Sequence, residues 1–432
     1  MQHVVSVPDP WPRMAFVLVA LALTGCAGGK PYQIPFMTPP AFLERSEVAP
    51  FNDASPVATP ADPRILYATL REPATVEGED RFYTADRAAE LRLGEGRIVL
   101  GRGDISWDEA RQLSLLKNNN DRYPLQVAEV REFGILDRTL HPILHKRGTL
   151  SPDPAPAAAF RAAVNARLAR SRDKDIFIYV HGYRVNFENP LLVAAELWHF
   201  LGYDGVFIPF AWPSHRGRLA YFGDTESARY SAIFLREFIE YLATETDAER
   251  IHILGYSAGT RLVVNALHQL ALANQHRSTE EIRRELRLGN VILVGSDVDR
   301  GIFGTFLLDG LLNVQEHMTI YESPRDKALG MALFSLGNER VGQLDPDDLT
   351  PEAKAFLLRS DALALVSVES APGFDHGNGH SYFRDSPWVS TDLLVTLLHD
   401  FRPAGRGLEQ DPASGIWSFP ADYLARVAAA IE

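Results

Sequence analysis

From residue 172 onward the chain alternates between short, continuously apolar runs and longer stretches with apolar residues on one helical stripe. The apolar runs are Ile176–Val180, Val206–Ala211, Ile251–Leu254, Val291–Val294, Met318–Tyr321 and Leu363–Val368. Runs this short and this uniformly apolar predict strands buried on both faces, as in a parallel sheet. Between them, 225–242 places Ala228, Ala232, Leu235, Ile239 and Leu242 on one stripe, and Val263, Ala266, Leu267 and Leu270 do the same after Ile251–Leu254. Asn189-Pro190 and Ser386-Pro387 read as cap and first-turn pairs that open helices. The pattern predicts an α/β fold with a mainly parallel central sheet and helices on both faces.

The front of the chain is patterned differently. Apolar-rich segments at 64–70, 96–101 and 126–133 have no clear helix between them, which predicts an antiparallel N-terminal edge to the same sheet. An Ala/Arg-rich helix at 156–171 leads into the core. The organisation read from the sequence is a leader at 1–25, a tether at 26–63 and one domain at 64–402. That domain consists of N-terminal strands at 64–150 and a core at 172–402, and a C-terminal tail follows at 403–432.

Composition changes this picture little. The 432 residues are 46% hydrophobic and 23% charged, as in an ordinary globular chain, and the net charge of -13 argues against a nucleic-acid partner. The N-terminus says more. Met14 to Gly25 is an apolar run behind Arg13, too short to span a bilayer and of the length of a secretory h-region. It ends in Leu23-Thr24-Gly25-Cys26, which resembles the bacterial lipoprotein signal, where the cysteine carries the lipid. Cys26 is the only cysteine, so no intramolecular disulfide is possible. The expectation is an exported protein, held in the cell envelope by lipid on Cys26.

The chemistry is expected at the C-terminal ends of the core strands, where loops open over the edge of the sheet. Ile251-His-Ile-Leu-Gly-Tyr-Ser257-Ala-Gly259 is a strand, a Gly-x-Ser-x-Gly corner and a helix start. That arrangement lifts a serine onto a sharp, strained turn. His181-Gly182-Tyr183 follows the first core strand. A hydrolase must hold an oxyanion with two backbone N–H groups, and Tyr183 and Ala258 are the candidates, with Gly182 giving the loop room to turn. His181, Gly182, Trp212 and Tyr256 are candidate substrate-pocket residues, and the Trp212-Pro-Ser loop is a candidate wall.

A general base is expected in Asp375-His376-Gly-Asn-Gly-His380-Ser-Tyr after the last strand, with His380 preferred and His376 the alternative. Asp326 and Asp297 both satisfy the chain order Ser…Asp…His. Asp326 is preferred because its strand immediately precedes the one that leads to the histidine. A cap on the helix that follows is the competing use of Asp326. Gly377 and Gly379 disfavour the helical His-x-x-x-His of a metal site, so neither metal nor cofactor is expected.

Taken in order, these segments resemble a bacterial α/β-hydrolase family catalogued as a domain of unknown function, whose members are often exported. The resemblance rests on Val180-His-Gly-Tyr183, Trp212-Pro-Ser214, Tyr221 with Asp224, and Tyr256-Ser-Ala-Gly259. It continues through Ser323-Pro-Arg-Asp-Lys-Ala-Leu329 and Gly379-His-Ser-Tyr382. Tyr67-Ala-Thr69 with Arg71 matches the family's opening, so that coverage runs from about Arg64 to His399. The resemblance implies a triad of Ser257, Asp326 and His380 and an acyl substrate, small or lipid-like. Arg184 stands where the family has Asn, and Tyr256 and Ala258 replace the His and Met that flank its nucleophile. The alternative expectation is a non-catalytic envelope lipoprotein that uses the same scaffold for binding; the oligomeric state is open.

Overall fold

The computed structural model describes residues 32–44, 63–75, 80–101, 103, 105–107, 109, 124–144, 152–215, 217, 221–330 and 339–431. The expected leader, Cys26, and Arg216 and Arg218 of the Trp-Pro-Ser loop lie outside the described residues.

Among the described residues, twelve strands form one sheet in the order β1-β4-β3-β2-β6-β5-β7-β8-β9-β10-β12-β11. The six core strands are β5 (Asp175–Val180), β6 (Val206–Ala211), β7 (Arg250–Tyr256), β8 (Leu288–Val294), β9 (His317–Glu322) and β10 (Leu363–Ser367). All pair in parallel, each beginning and ending close to its apolar run. These strands are buried almost throughout, so their sequences carry no polar face. One side of the sheet is covered by α1 (Ala155–Leu168), α3 (Tyr221–Glu245), α4 (Gly259–Ala273), α5 (Thr279–Leu286) and α6 (Arg300–Leu308). The other side carries α2 (Glu188–Phe200) and α9 (Pro387–His399).

The antiparallel edge is present and longer than its apolar segments. β2 (Arg64–Pro73), β3 (Tyr83–Leu100) and β4 (Leu125–Ile135) form a meander, and β2 also runs parallel to β6. The segment at 96–101 is only the end of the 18-residue β3. The strand is studded with charge that cross-strand pairs neutralise: Arg92 with Glu132 at 2.9 Å, and Glu95 with Arg131 at 2.9 Å.

Two boundaries need correction. Part of the expected tether at 26–63 is packed: β1 (Gln33–Ile34) pairs with β4, and Phe36, Met37, Phe42 and Leu43 are buried. Proline-rich composition read as linker here, yet the apolar residues between the prolines find a surface along α2 and α9. The tail at 403–432 also belongs to the domain. β12 (Trp417–Ser418) extends the sheet in parallel beside β10, β11 (Glu409–Gln410) closes the edge, and α10 (Tyr423–Ile431) packs on the α9 side. Arg406 from this tail is buried against Asp392 of α9, with Nε to Oδ1 at 3.2 Å.

Candidate active site

The order β6-β5-β7 is the reversal of an open α/β sheet: β6 is added on one side of β5 and β7 on the other. Loops leaving β5 and β7 diverge there and leave a crevice at the strand ends. Ser257 lies at the end of β7, between the strand and α4, with φ at 52°. A non-glycine residue in this left-handed region costs on the order of 1 kcal/mol and needs fixed surroundings to persist. The Ser257 N–H donates to Val294 O at 2.9 Å, and its carbonyl accepts from the Thr260 N–H and hydroxyl at 2.9 and 2.6 Å. Gly259 makes the tight turn possible, since a Cβ there would sit 2.3 Å from His181 O.

His380 approaches Ser257 from the loop after β10. Its Nε2 lies 2.7 Å from Ser257 Oγ, and its Nδ1 lies 2.6 Å from Asp326 Oδ2. A carboxylate only accepts, so Nδ1–H is the donor toward Asp326. In the neutral ring Nε2 is then free to accept from the serine hydroxyl. Ser257, His380 and Asp326 are all buried, Asp326 almost completely. Asp326 also caps the helix that starts at Lys327. Its Oδ1 accepts from Ala328 N at 2.9 Å and Leu329 N at 3.1 Å. Cap and histidine partner, expected to compete, use different oxygens.

Two residues that the sequence reading left without a role hold the histidine loop. Tyr382 OH accepts from Gly295 N at 2.6 Å and donates to Tyr321 O at 3.0 Å, pinning the segment after His380 to the ends of β8 and β9. Gly295, at φ +55°, leaves space for the ring, since a Cβ there would meet His380 Cε1 at 2.8 Å. Tyr382 was visible in the Gly-His-Ser-Tyr motif; Gly295 had no signal beyond its place at a strand end.

Asp297, the alternative acid, is not brought to His380. Its Oδ2 accepts from Arg261 Nε at 2.8 Å, and Arg340 Nε lies 3.4 Å from its Oδ1. His376 is exposed on the loop.

The loop after β5 runs beside the serine: a Cβ on Gly182 would stand 3.0 Å from Ser257 Cβ. Tyr183 follows, half-buried, and Arg184 takes a left-handed φ of 64°. Ala258 lies at the N-terminus of α4, where the first N–H groups have no intrahelical acceptor. Ala258 thus follows Ser257 directly in the chain, and Tyr183 follows the Gly182 that packs against it.

The pocket assignment of His181 and Trp212 is corrected. Neither has any exposed surface; their rings stack at 5.2 Å beneath the loop, and Trp212 Nε1 donates to His181 O at 2.7 Å. Burial holds the His181 imidazole down at about 3, so it is neutral, and its Nδ1–H donates to Gly182 O at 2.6 Å. Both residues build the floor and have no open face for a ligand. Tyr256 is partly exposed, its ring against His380 at 5.2 Å and Phe383 at 4.9 Å.

A parallel α/β sheet with a strained serine at its reversal point, joined to a histidine and an acid from later strands, is the architecture of an α/β hydrolase. The chain belongs to an alpha/beta hydrolase family of unknown function (DUF900), whose model matches residues 156–397. The match begins after β4, so the antiparallel strands lie outside it. No curated protein and no solved structure shows a significant match to the chain.

Proposed function

We propose that the protein is a serine hydrolase that cleaves an ester or related acyl bond, held in the bacterial cell envelope by lipid on Cys26. The observation that carries the catalytic reading is the continuous Ser257–His380–Asp326 hydrogen-bond chain, at 2.7 and 2.6 Å, on a serine with positive φ. Ser257 Oγ attacks the acyl carbon as its proton passes to His380 Nε2. Asp326 orients the ring and stabilises its charged form. The oxyanion is held by the Tyr183 and Ala258 amides. His380 then protonates the leaving alkoxide, which departs and leaves an acyl-serine. Water, deprotonated by His380, attacks this ester, and the proton returns to Ser257 as the acid is released.

The first test is labelling of the full chain with a fluorophosphonate, together with turnover of an activated ester. Wild type labels and turns over; Ser257→Ala does not label, and His380→Ala labels far more slowly. The loss of kcat in Ser257→Ala is expected at about 10⁴- to 10⁶-fold. Undiminished turnover by Ser257→Ala refutes the assignment, and an unlabelled, folded wild type favours a binding scaffold. For the anchor, Cys26→Ser moves the protein out of the membrane fraction.

A further inference from the structure

The antiparallel strands outside the matched family stretch reach into the site through one residue. Arg71 lies in β2, where the pairing with β3 shifts register, and its side chain is buried almost completely. Its Nη2 donates to Val185 O at 3.0 Å, and its Nη1 to Thr84 O at 3.4 Å. Ser214, from the Trp-Pro-Ser loop, exchanges longer contacts with Val185: its hydroxyl donates to the carbonyl at 3.3 Å and accepts from the N–H at 3.4 Å. Three residues earlier, Gly182 O accepts from His181 Nδ1. The backbone from 182 to 185 is thus gripped at both ends, and Tyr183 N–H lies between the grips.

The segment needs such a grip. Arg184 has a φ of 64°, in the left-handed region that costs an L residue on the order of 1 kcal/mol. Relaxation toward negative φ would turn the Tyr183–Arg184 peptide and with it disturb the neighbouring Gly182–Tyr183 peptide, which carries the Tyr183 N–H. Arg71 also lies within electrostatic reach of Asp224, whose two oxygens accept from His215 N at 3.1 Å. One cation therefore links β2, the loop after β5 and the loop after β6.

Resting on the hydrolase reading above, we propose that Arg71 is a positioning residue for the oxyanion loop, its bond to Val185 O holding Tyr183 N–H aimed at the carbonyl attacked by Ser257. It touches no substrate. The expected signature is a fall in kcat with little change in KM, because the amide is needed most when charge develops on the oxygen.

The test compares the full-length wild type, Arg71→Met and Arg71→Lys on a short-chain p-nitrophenyl ester, with active sites counted by fluorophosphonate titration. Arg71→Met should lose on the order of 10- to 100-fold in kcat per titrated site, less than deletion of a donor, with KM within about threefold. Arg71→Lys, which can still donate to Val185 O, should recover most of that loss. The pH profile of kcat should keep its wild-type shape. Amide hydrogen exchange at 183–185 should quicken in Arg71→Met while β7 and β8 are unchanged. A wild-type kcat per titrated site in Arg71→Met overturns the proposal, as does a loss that lies wholly in the number of titratable sites. Unchanged exchange at 183–185 overturns it independently of activity. Failure of the hydrolase reading shows separately, as wild-type turnover that Ser257→Ala does not reduce.

Discussion

Asp326 divides its two oxygens between tasks that a mutation can separate. Asn at this position keeps an oxygen that caps Ala328 and Leu329 but loses the charge that fixes the His380 tautomer. Asp326→Asn should therefore lower kcat by about 10³- to 10⁴-fold while stability changes by less than about 1 kcal/mol. Asp326→Ala should be as inactive and lose roughly 1 kcal/mol more from the missing cap. Urea melts beside ester turnover would check this; a large stability loss in Asp326→Asn would show that the cap, not the histidine, is its main partner. The sequence made Asp326 and Asp297 both eligible, because chain order says nothing of which neighbours claim a carboxylate. Arg261 and Arg340, distant in sequence, are the partners of Asp297, while His380 lies against Asp326. His181 escaped correct reading for a similar reason, since a histidine at a strand end looks the same whether its ring faces a ligand or a buried tryptophan.

The elements divide by how their burial is written into the chain. The core strands were legible because strands buried on both faces must be apolar at every position. β3 was half hidden because its outward residues are charges neutralised by β4. The segment at 32–44 was hidden entirely, since an extended strap has neither helical nor strand periodicity. It is nevertheless tied to the site. Arg384, in the four-residue α8 (Tyr382–Asp385) behind His380, donates to both Glu196 oxygens, at 2.9 and 3.2 Å, and to Pro35 O at 3.0 Å. Met37 N also donates to Glu196, and Phe42 N to Thr391 Oγ1 at 3.2 Å. Glu196 is fully buried, while the Arg384 side chain keeps 21% of its surface exposed. Glu196→Leu should thus cost about 3 to 5 kcal/mol by stranding the Arg384 charge, and adding Arg384→Met should recover part of it. A double-mutant cycle in urea checks the coupling, which additive losses would exclude.

Across the molecule, the most direct handle on pH dependence is Glu322 at the end of β9. Burial pushes its carboxyl up from 4.5 to about 8, and the charges of Glu369 and Asp345 add to the effect. Between those values the folded chain holds a proton that the unfolded chain releases. This contribution to stability is therefore present at low pH and is lost as pH rises through the window. Glu322→Gln should gain on wild type in melting temperature as pH goes from about 5 to about 8.5, by the equivalent of a few kcal/mol. A difference that stays constant over that range would mean that Glu322 is not protonated in the fold.

The strap also sets a distance. With a lipid on Cys26, as proposed, a free chain to residue 63 would have let the domain roam more than about 100 Å from the bilayer. Because the chain is already docked at Tyr32, whose hydroxyl accepts from Asn189, only six peptide steps join anchor to domain. Fully extended, they reach about 20 Å. The enzyme would then stand within its own radius of the lipid surface, with its β1–β4 edge kept turned toward it. Only acyl groups in or near the membrane, or delivered to it, would come within its working volume.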